Sequence, residues 1–170
     1  PAGTVNLLRA MQAMGYAVEN VPADGDALIA RLLEGPTNAA DSRARVARIT
    51  LDLAAYREFF GTLPASVKQA VTARWGEPVA DPFFAEGNFR LPLQKLGETL
   101  IGIQPARGYN IDPVSSYHDP DLVPPHGYFA FYAYLRNIAD VDAVVNMGKH
   151  GNLEWLPGKA TALDAASYPG

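Results

Sequence analysis

The sequence predicts an α/β fold in three layers, with a mostly parallel sheet between flanking helices. Of its 170 residues, 48% are hydrophobic and 19% are charged, which is the composition of a globular domain with a sizeable core. Near the N-terminus a helical pattern, a strand-like pattern and a second helical pattern follow one another, which is half of an α/β repeat. Further along, two short apolar runs each lead into a polar loop, as at the C-terminal ends of parallel strands. We expect the chain to be a fragment of a larger multidomain protein.

The first elements are predicted from the helical spacing of apolar residues and from the residues that start and end a helix. Residues 4–14 carry apolar side chains at helical intervals, with Thr4 as an expected N-cap and Gly15 after the end. The segment "YAVENV" then alternates as a strand does. Residues 23–35, "ADGDALIARLLEG", resume a helix with acidic residues at its start and a glycine after its end.

The middle of the chain is predicted to be helical and then irregular. Residues 41–60 place apolar side chains on one face, which predicts an amphipathic helix, interrupted near Thr50. A second helix is expected in "LPASVKQAVTARWG", with Pro64 near its first turn. Residues 75–100 are rich in proline, glycine and aromatic residues, so we expect a strand pair among irregular segments.

The last third is predicted to carry the functional loops. A buried strand is expected in "TLIGIQ", followed by a long extended segment with four prolines. Residues 126–138 form a predicted helix with a wide aromatic face, and "DAVVNM" a short strand. We divide the chain into an α/β element at 1–38, a helical and irregular insertion at 39–98, and an α/β part with the site loops at 99–170.

Charge and composition exclude several classes of function. The formal charge of -4 and the pI near 5.3, with no basic stripe, argue against nucleic acid or an anionic membrane as the partner. No cysteine is present, which excludes disulfides and thiolate metal sites. The sequence has no apolar run long enough to span a bilayer and no signal-peptide pattern. A cytoplasmic location is therefore expected.

The loop "GKHGNLEWLPGKA" concentrates titratable side chains between glycines. It is not a Walker A loop, because six residues separate Gly151 from Gly158 where four are required, and Ala160 replaces the Ser or Thr that binds Mg²⁺. His150 and Glu154 stand four residues apart and could hold a divalent ion or move protons near neutral pH. The alternative is a structural pair that only folds the loop.

Two further residues are candidates outside that loop. Arg107 follows the predicted strand "TLIGIQ", where its guanidinium suits a carboxylate ligand; the alternative is a salt bridge to Asp112 or Asp119. His126 precedes the aromatic helix, where it could ligate a metal or bond a backbone group at the cap. The aromatic face of that helix fits either a core or a pocket for a planar ligand.

Three blocks of sequence together resemble one family. They are "IGIQPARGYNIDP", "YHDPDLVPPHGYFAFYAYLR" and "VNMGKHGNLEWLPGKA", and the N-terminal segments fit the same family in the same order. The chain resembles the family formed by CobN and the magnesium chelatase proteins of the H type. Arg107, Asn110 and Lys149 favour the branch of CobN, the large subunit of aerobic cobaltochelatase. The family usually continues with Cys, an aromatic residue, Pro and Glu where this chain has Ser167, Tyr168, Pro169 and Gly170.

The resemblance implies a metal chelatase that works as part of a multisubunit complex. It implies ATP-dependent insertion of Co²⁺ into hydrogenobyrinic acid a,c-diamide, a tetrapyrrole, during cobalamin biosynthesis. The AAA+ type subunits CobS and CobT would hydrolyse ATP, which this chain would not bind, and the isolated fragment would be inactive.

The family resemblance also suggests roles for individual residues. Glu154 and His150 would handle the metal or accept ring protons, with His126 as a further candidate metal ligand. Residues expected to hold the macrocycle are Arg107, Tyr109, Lys149, Trp155 and Lys159, with Tyr128 and Phe131 as further apolar cover.

Other functional classes remain open at this point. The fragment fits a non-catalytic module that binds the tetrapyrrole or docks the ATPase subunits. It also fits a magnesium chelatase protein of the H type, acting on protoporphyrin IX. A stand-alone α/β hydrolase lacks support because no G-x-S-x-G elbow is present.

Overall fold

The computed structural model describes residues 1–108, 121–148, 156–157 and 168. Within these ranges the chain combines helices with two small sheets, consistent with an α/β fold. The helices are α1 (Ala2–Ala13), α2 (Gly25–Leu33), α3 (Leu53–Thr62), α4 (Ala65–Trp75) and α5 (His126–Ala133). The strands are β1 (Ile49–Asp52), β2 (Phe84–Ala85), β3 (Asn88–Leu91), β4 (Leu93–Leu96) and β5 (Thr99–Gly102).

The prediction of a mostly parallel sheet is not confirmed, because both sheets in the described residues are antiparallel. One has the strand order β1, β3, β2, and the other pairs β4 with β5. The reason is local: β2 and β3 are joined by Glu86 and Gly87, whose φ angles are 53° and 81°. Two positive φ values in a two-residue connection are typical of a tight hairpin, which can join only antiparallel strands.

Three predicted elements are wrong, in whole or in part. The helix expected over 41–60 begins only at Leu53, because Ile49–Asp52 pairs with β3 as a strand. The Asp52 side chain then accepts a hydrogen bond from Ala55 N at 2.8 Å and caps α3. The strand expected in "YAVENV" is reduced to one bridge between Val18 and Gly97, and residues 142–147 form no strand in the described structure.

The other helical predictions are confirmed. Helix α2 begins where the acidic residues indicate, and the Asp24 side chain accepts a hydrogen bond from Ala27 N at 2.8 Å. Helix α1 begins at Ala2, so Thr4 lies in its first turn rather than at its cap. The aromatic helix begins at His126 as α5 and continues as a π-helical turn, Tyr134–Ile138. No described helix is long and apolar enough to cross a membrane.

Helix α5 lies in the main hydrophobic core. All 8 of its residues are buried, which is the pattern of a helix enclosed on every side. This core also includes Phe89 and Leu91 of β3, and side chains of α3 and α4. A second, much smaller cluster joins α1 to the β4–β5 hairpin through Leu8, Val18 and Leu96.

The C-terminal part returns to the same core at two points. Leu156 is 2% exposed and Tyr168 is 6% exposed, and both belong to the core cluster of α5. The Tyr168 ring lies 6.2 Å from the Phe129 ring, measured between centroids. Tyr168 N also donates a long hydrogen bond to Pro157 O at 3.5 Å, which closes the chain between these two residues.

Candidate functional site

The described residues include two of the candidate site residues, Arg107 and His126. The loop "GKHGNLEWLPGKA" lies outside them except for Gly148, Leu156 and Pro157, and the long segment after Gly108 is described from residue 121 onward. The candidates outside the described residues are Tyr109, Lys149, His150, Glu154, Trp155 and Lys159. Leu156, next to Trp155 in sequence, is buried in the cluster around α5.

His126 is the first residue of α5 and is fully buried. Its Nε2 lies 3.0 Å from Gly76 O, and its Nδ1 lies 2.6 Å from the Tyr56 hydroxyl. A carbonyl oxygen can only accept, so Nε2 carries the proton, and Nδ1 accepts from the hydroxyl. Both ring nitrogens are therefore engaged within the protein, and binding a metal would require one of these bonds to open.

Burial keeps this pair neutral. It lowers the pKa of His126 below its usual value of 6.5, more strongly than the hydrogen bond to Gly76 and the charges of Asp81 and Glu77 raise it. Burial, followed by the negative charge of Asp81, raises the pKa of Tyr56. Tyr56 therefore stays protonated at neutral pH, and its hydroxyl can donate a hydrogen bond to the imidazole.

The N-terminus of α5 is capped from a distant part of the chain. Asp81 is 4% exposed, and its carboxylate accepts hydrogen bonds from Gly127 N at 2.6 Å and Phe83 N at 2.8 Å. A negative charge at this end is also favoured by the helix dipole. A Cβ at position 127 would lie 3.1 Å from Asp81 Oδ1, so any larger residue there would require the Asp81 carboxylate to shift.

Arg107 lies in the loop that leaves β5, as the sequence indicates, and is 5% exposed. The loop is held by Asn38: its Nδ2 donates to Gln104 O at 3.0 Å, and its Oδ1 accepts from Ala106 N at 2.8 Å. Gln104 Nε2 in turn donates to the Tyr132 hydroxyl at 2.8 Å. The loop is thereby connected to α5.

The aromatic face of α5 lies within the core. Tyr128, Phe131 and Tyr132 are 1%, 6% and 6% exposed, and the Tyr128 and Tyr132 rings lie 5.1 Å apart. Burial raises the pKa of Tyr132, against the hydrogen bonds from Gln104 and Tyr128, which lower it. Of the two interpretations of this face, packing in the core accounts for the contacts observed.

In the described residues, Arg107 supplies a buried cation on a loop that Asn38 fixes. A guanidinium keeps its charge at any physiological pH and offers paired donors to a carboxylate. In the described part of the chain, no group of three or more His, Asp or Glu side chains is close enough to hold a metal ion.

Three residues that support the site were not identified from the sequence: Tyr56, Asp81 and Asn38. Each acts on a residue far away in sequence, at separations of 70, 46 and 68 residues for the bonds to His126, Gly127 and Ala106. A local pattern carries no signal for such pairs. Asn38 stands in the turn-forming segment "GPTNAADS", which indicates a loop but not its partner.

Comparison with known proteins finds one family over the whole chain, residues 1–170, described as CobN/Magnesium Chelatase. An aerobic cobaltochelatase subunit CobN from Sinorhizobium sp is 62% identical over 169 residues, which are 99% of this chain and 13% of the relative. The corresponding protein from Pseudomonas aeruginosa is 49% identical over 170 residues, 99% of this chain and 14% of the relative. An H-type magnesium-chelatase protein from Cereibacter sphaeroides is 32% identical over 165 residues, 96% of this chain and 13% of the relative.

A solved structure supports the same relationship. The catalytic subunit of cobaltochelatase from Mycobacterium tuberculosis superimposes with a TM-score of 0.82 at 39% identity, over 98% of this chain and 15% of that one. The chain thus spans about one seventh of the length of the proteins it matches. With sequence and fold in agreement over nearly every residue, the chain belongs to the CobN/Magnesium Chelatase family.

Proposed function

We propose that the protein to which this chain belongs is the macrocycle-binding large subunit of a cobaltochelatase. It would insert Co²⁺ into hydrogenobyrinic acid a,c-diamide during cobalamin biosynthesis, in the cytoplasm. CobS and CobT type subunits would hydrolyse ATP to drive the reaction. The observation that carries this proposal is the higher identity to cobaltochelatase subunits than to an H-type magnesium-chelatase protein, over nearly the whole chain in each case.

The reaction exchanges metal for protons on the macrocycle. Cobalt–nitrogen bonds form as Co²⁺ loses water ligands, and the protons on the ring nitrogens leave to a base. We assign the base, or the group that delivers the metal, to Glu154 and His150. A carboxylate and an imidazole suit a divalent ion of this class, and the imidazole titrates near pH 6.5 in its unperturbed state.

The macrocycle itself is acidic at its rim, and we assign its recognition to cations. We assign this role first to Arg107, whose loop is fixed by Asn38 and whose side chain is largely withdrawn from water. A charge-assisted bond formed with little competing water is strengthened. Lys149 and Lys159 would pair with further carboxylates, and Tyr109 and Trp155 would lie against the apolar ring.

His126 takes a different place in this proposal. Because both of its ring nitrogens are hydrogen-bonded, we assign it to holding the start of α5 against α3 and the end of α4. It would ligate Co²⁺ only after releasing Tyr56 or Gly76. Metal handling is therefore proposed for His150 and Glu154 first.

The direct test is Glu154→Gln in the full-length protein, assembled with its ATPase partners. We expect cobalt insertion, followed by the absorbance change of the macrocycle, to fall by a factor of about 100 or more, because the loss of a general acid or base typically costs about 100-fold to 10,000-fold. Macrocycle binding, followed by fluorescence quenching, is expected to stay within about twofold, since the change removes a charge but keeps the side-chain shape. Glu58→Gln, on an exposed position of α3, is the matched control.

Each alternative predicts a different result. Undiminished cobalt insertion by Glu154→Gln would exclude the assigned role of this residue. Macrocycle binding without any insertion by the wild-type complex would indicate a non-catalytic binding module. Insertion of Mg²⁺ into protoporphyrin IX in place of Co²⁺ into the corrin precursor would indicate a magnesium chelatase protein of the H type.

A further inference from the structure

Asn38 lies in the connection between α2 and β1, and its side chain forms hydrogen bonds to the loop that leaves β5. The Asn38 amide bonds the backbone on both sides of Pro105, through Gln104 O at 3.0 Å and Ala106 N at 2.8 Å. The two bonds fix the orientation of the amide, because the carbonyl needs a donor and the N–H needs an acceptor.

Asn38 is itself held by a buried turn. Ser42 is 0% exposed, and its Oγ accepts a hydrogen bond from Thr37 N at 2.8 Å. The same Oγ lies 2.7 Å from Thr37 Oγ1 and 2.7 Å from Ala39 O. Ala39 N donates to Thr37 Oγ1 at 3.1 Å. The backbone before and after Asn38 is therefore fixed by hydroxyl groups that are shielded from water, where hydrogen bonds are stronger.

The bonds from Asn38 act on the residues that lead directly to Arg107. Pro105 has a fixed φ and no N–H, and Asn38 holds the backbone groups immediately before and after it. With these groups held, the loop has little freedom before Arg107, two residues after Pro105. A fork of donors recognises a carboxylate only when its direction is set.

We infer that Asn38 is the positioning residue for Arg107, holding the loop so that the guanidinium meets a carboxylate on the rim of an acidic macrocycle. The inference rests on the proposed function for the identity of the ligand. It adds a residue from the α2–β1 connection to the recognition of that ligand. Asn38 itself is not assigned to contact the ligand or the metal.

The test compares Asn38→Ala with Asn6→Ala, an exposed asparagine of α1, in the full-length protein within the assembled complex. Loss of two positioning bonds is expected to raise the KM and Kd for hydrogenobyrinic acid a,c-diamide about tenfold. The kcat and the KM for Co²⁺ should stay within about twofold, because the metal-handling groups are untouched. Asn38→Asp keeps the acceptor for Ala106 N but loses the donor to Gln104 O, and should give an intermediate value.

The dependence on Arg107 separates positioning from a general loss of structure. In an Arg107→Ala background, Asn38→Ala should weaken macrocycle binding no further, because two residues that act as a unit are not additive. Hydrogen exchange of residues 103–108, followed by mass spectrometry, should be faster in Asn38→Ala and unchanged in Asn6→Ala. This second readout needs no ligand.

Several outcomes would overturn the inference, and they are distinguishable. If Arg107→Ala weakens macrocycle binding and Asn38→Ala does not, the inference is wrong and the proposed function stands. Equal weakening by Asn38→Ala with and without Arg107 shows that Asn38 acts elsewhere. If Arg107→Ala leaves binding unchanged, the assigned role of Arg107 is wrong and the inference is wrong with it. A wild-type complex that does not bind the macrocycle contradicts the proposed function itself.

Discussion

Helix α5 and the N-terminal helices α1 and α2 are held to the rest of the chain in different ways. All 8 residues of α5 are buried, and its rings pack against α3, β3 and the returning residues Leu156 and Tyr168. Helix α1 buries only Val5 and Leu8, and α2 only Leu28. Helix α1 is joined to the β4–β5 hairpin by the small apolar cluster of Leu8, Val18 and Leu96, and α2 by polar contacts such as Arg31 Nε to Gln94 Oε1 at 2.8 Å.

This difference in burial indicates which region stabilises the fold around the candidate site. Burial of apolar area is the main source of stability, so the region around α5 is expected to open last. The N-terminal region instead orients the loop of Arg107, because Asn38, which follows α2, forms hydrogen bonds to that loop. The scaffold and the positioning element are thus different parts of the chain.

The largest expected effects come from truncating one buried side chain in the core around α5 and one in the N-terminal cluster. Phe129→Ala removes a ring that is 1% exposed in α5 and is expected to lower the free energy of unfolding by about 3–5 kcal/mol. Leu8→Ala, in the smaller cluster, is expected to cost about 2 kcal/mol, because a thin cluster relaxes more easily. Urea denaturation followed by tryptophan fluorescence measures both, and equal losses would contradict the distinction between the regions.

Loss of the distant cap on α5 comes next in size. Asp81→Ala leaves Gly127 N and Phe83 N without their carboxylate and should cost about 1–3 kcal/mol. Asp81→Asn keeps an acceptor and should cost less. The same denaturation experiment checks the order of the two variants. If Asp81→Ala and Asp81→Asn had the same free energy of unfolding as the wild type, the stability of α5 would not depend on this cap.

Stability should also fall below about pH 6.5 because of His126. Its pKa is lowered in the folded state, so on acidification the unfolded chain binds a proton before the folded chain does. The free energy of unfolding therefore decreases as the pH falls, by up to about 1.4 kcal/mol per pH unit from this residue, until the lowered pKa is reached. Unfolding measured between pH 5 and 8 should show a smaller slope in His126→Gln, and an unchanged slope would contradict this assignment.

The smallest effect is expected from an exposed ion pair at the edge of the N-terminal region. Arg48 and Glu34 are 2.7 Å apart, and their side chains are 62% and 56% exposed. Such pairs contribute about 0–1 kcal/mol, so Arg48→Ala should change the free energy of unfolding by less than 1 kcal/mol. Added salt should remove most of that difference. A larger loss would show that this edge is more tightly held than its exposure indicates.

Secondary structure was predictable where the signal is local. The helices α2 and α4 follow from periodicity, and Asp24 marks a helix start through a bond to a residue three positions away. The pairing of Ile49–Asp52 with β3 was not predictable in this way, because it depends on residues about forty positions later. The apolar stripe over 41–60 predicts a helix interrupted near Thr50, but it does not indicate that a strand lies at that interruption. The parallel sheet was likewise inferred from the order of elements, and tight turns at Gly87 and Gly97 decided against it.

Arg107 and His126 can be singled out from the sequence, whereas the residues that support them in the structure cannot. Arg107 stands out because a cation after an apolar strand suggests a ligand, and the structure has it in the loop after β5. His126 was ambiguous from its position alone, and the bond to Gly76 O confirms the backbone interaction among its two interpretations. Tyr56 and Asp81 have no sequence context that indicates a polar role, since their partners come together only after folding.

The bond from Tyr168 N to Pro157 O has a consequence for variation in chain length. Its two residues hold the ends of the intervening segment, residues 158–167, together at the core. The entropy of closing such a segment grows only with the logarithm of its length, so doubling it costs about 0.6 kcal/mol. An insertion between these two points should therefore cost the core little, because Leu156 and Tyr168 would keep their places in the cluster around α5.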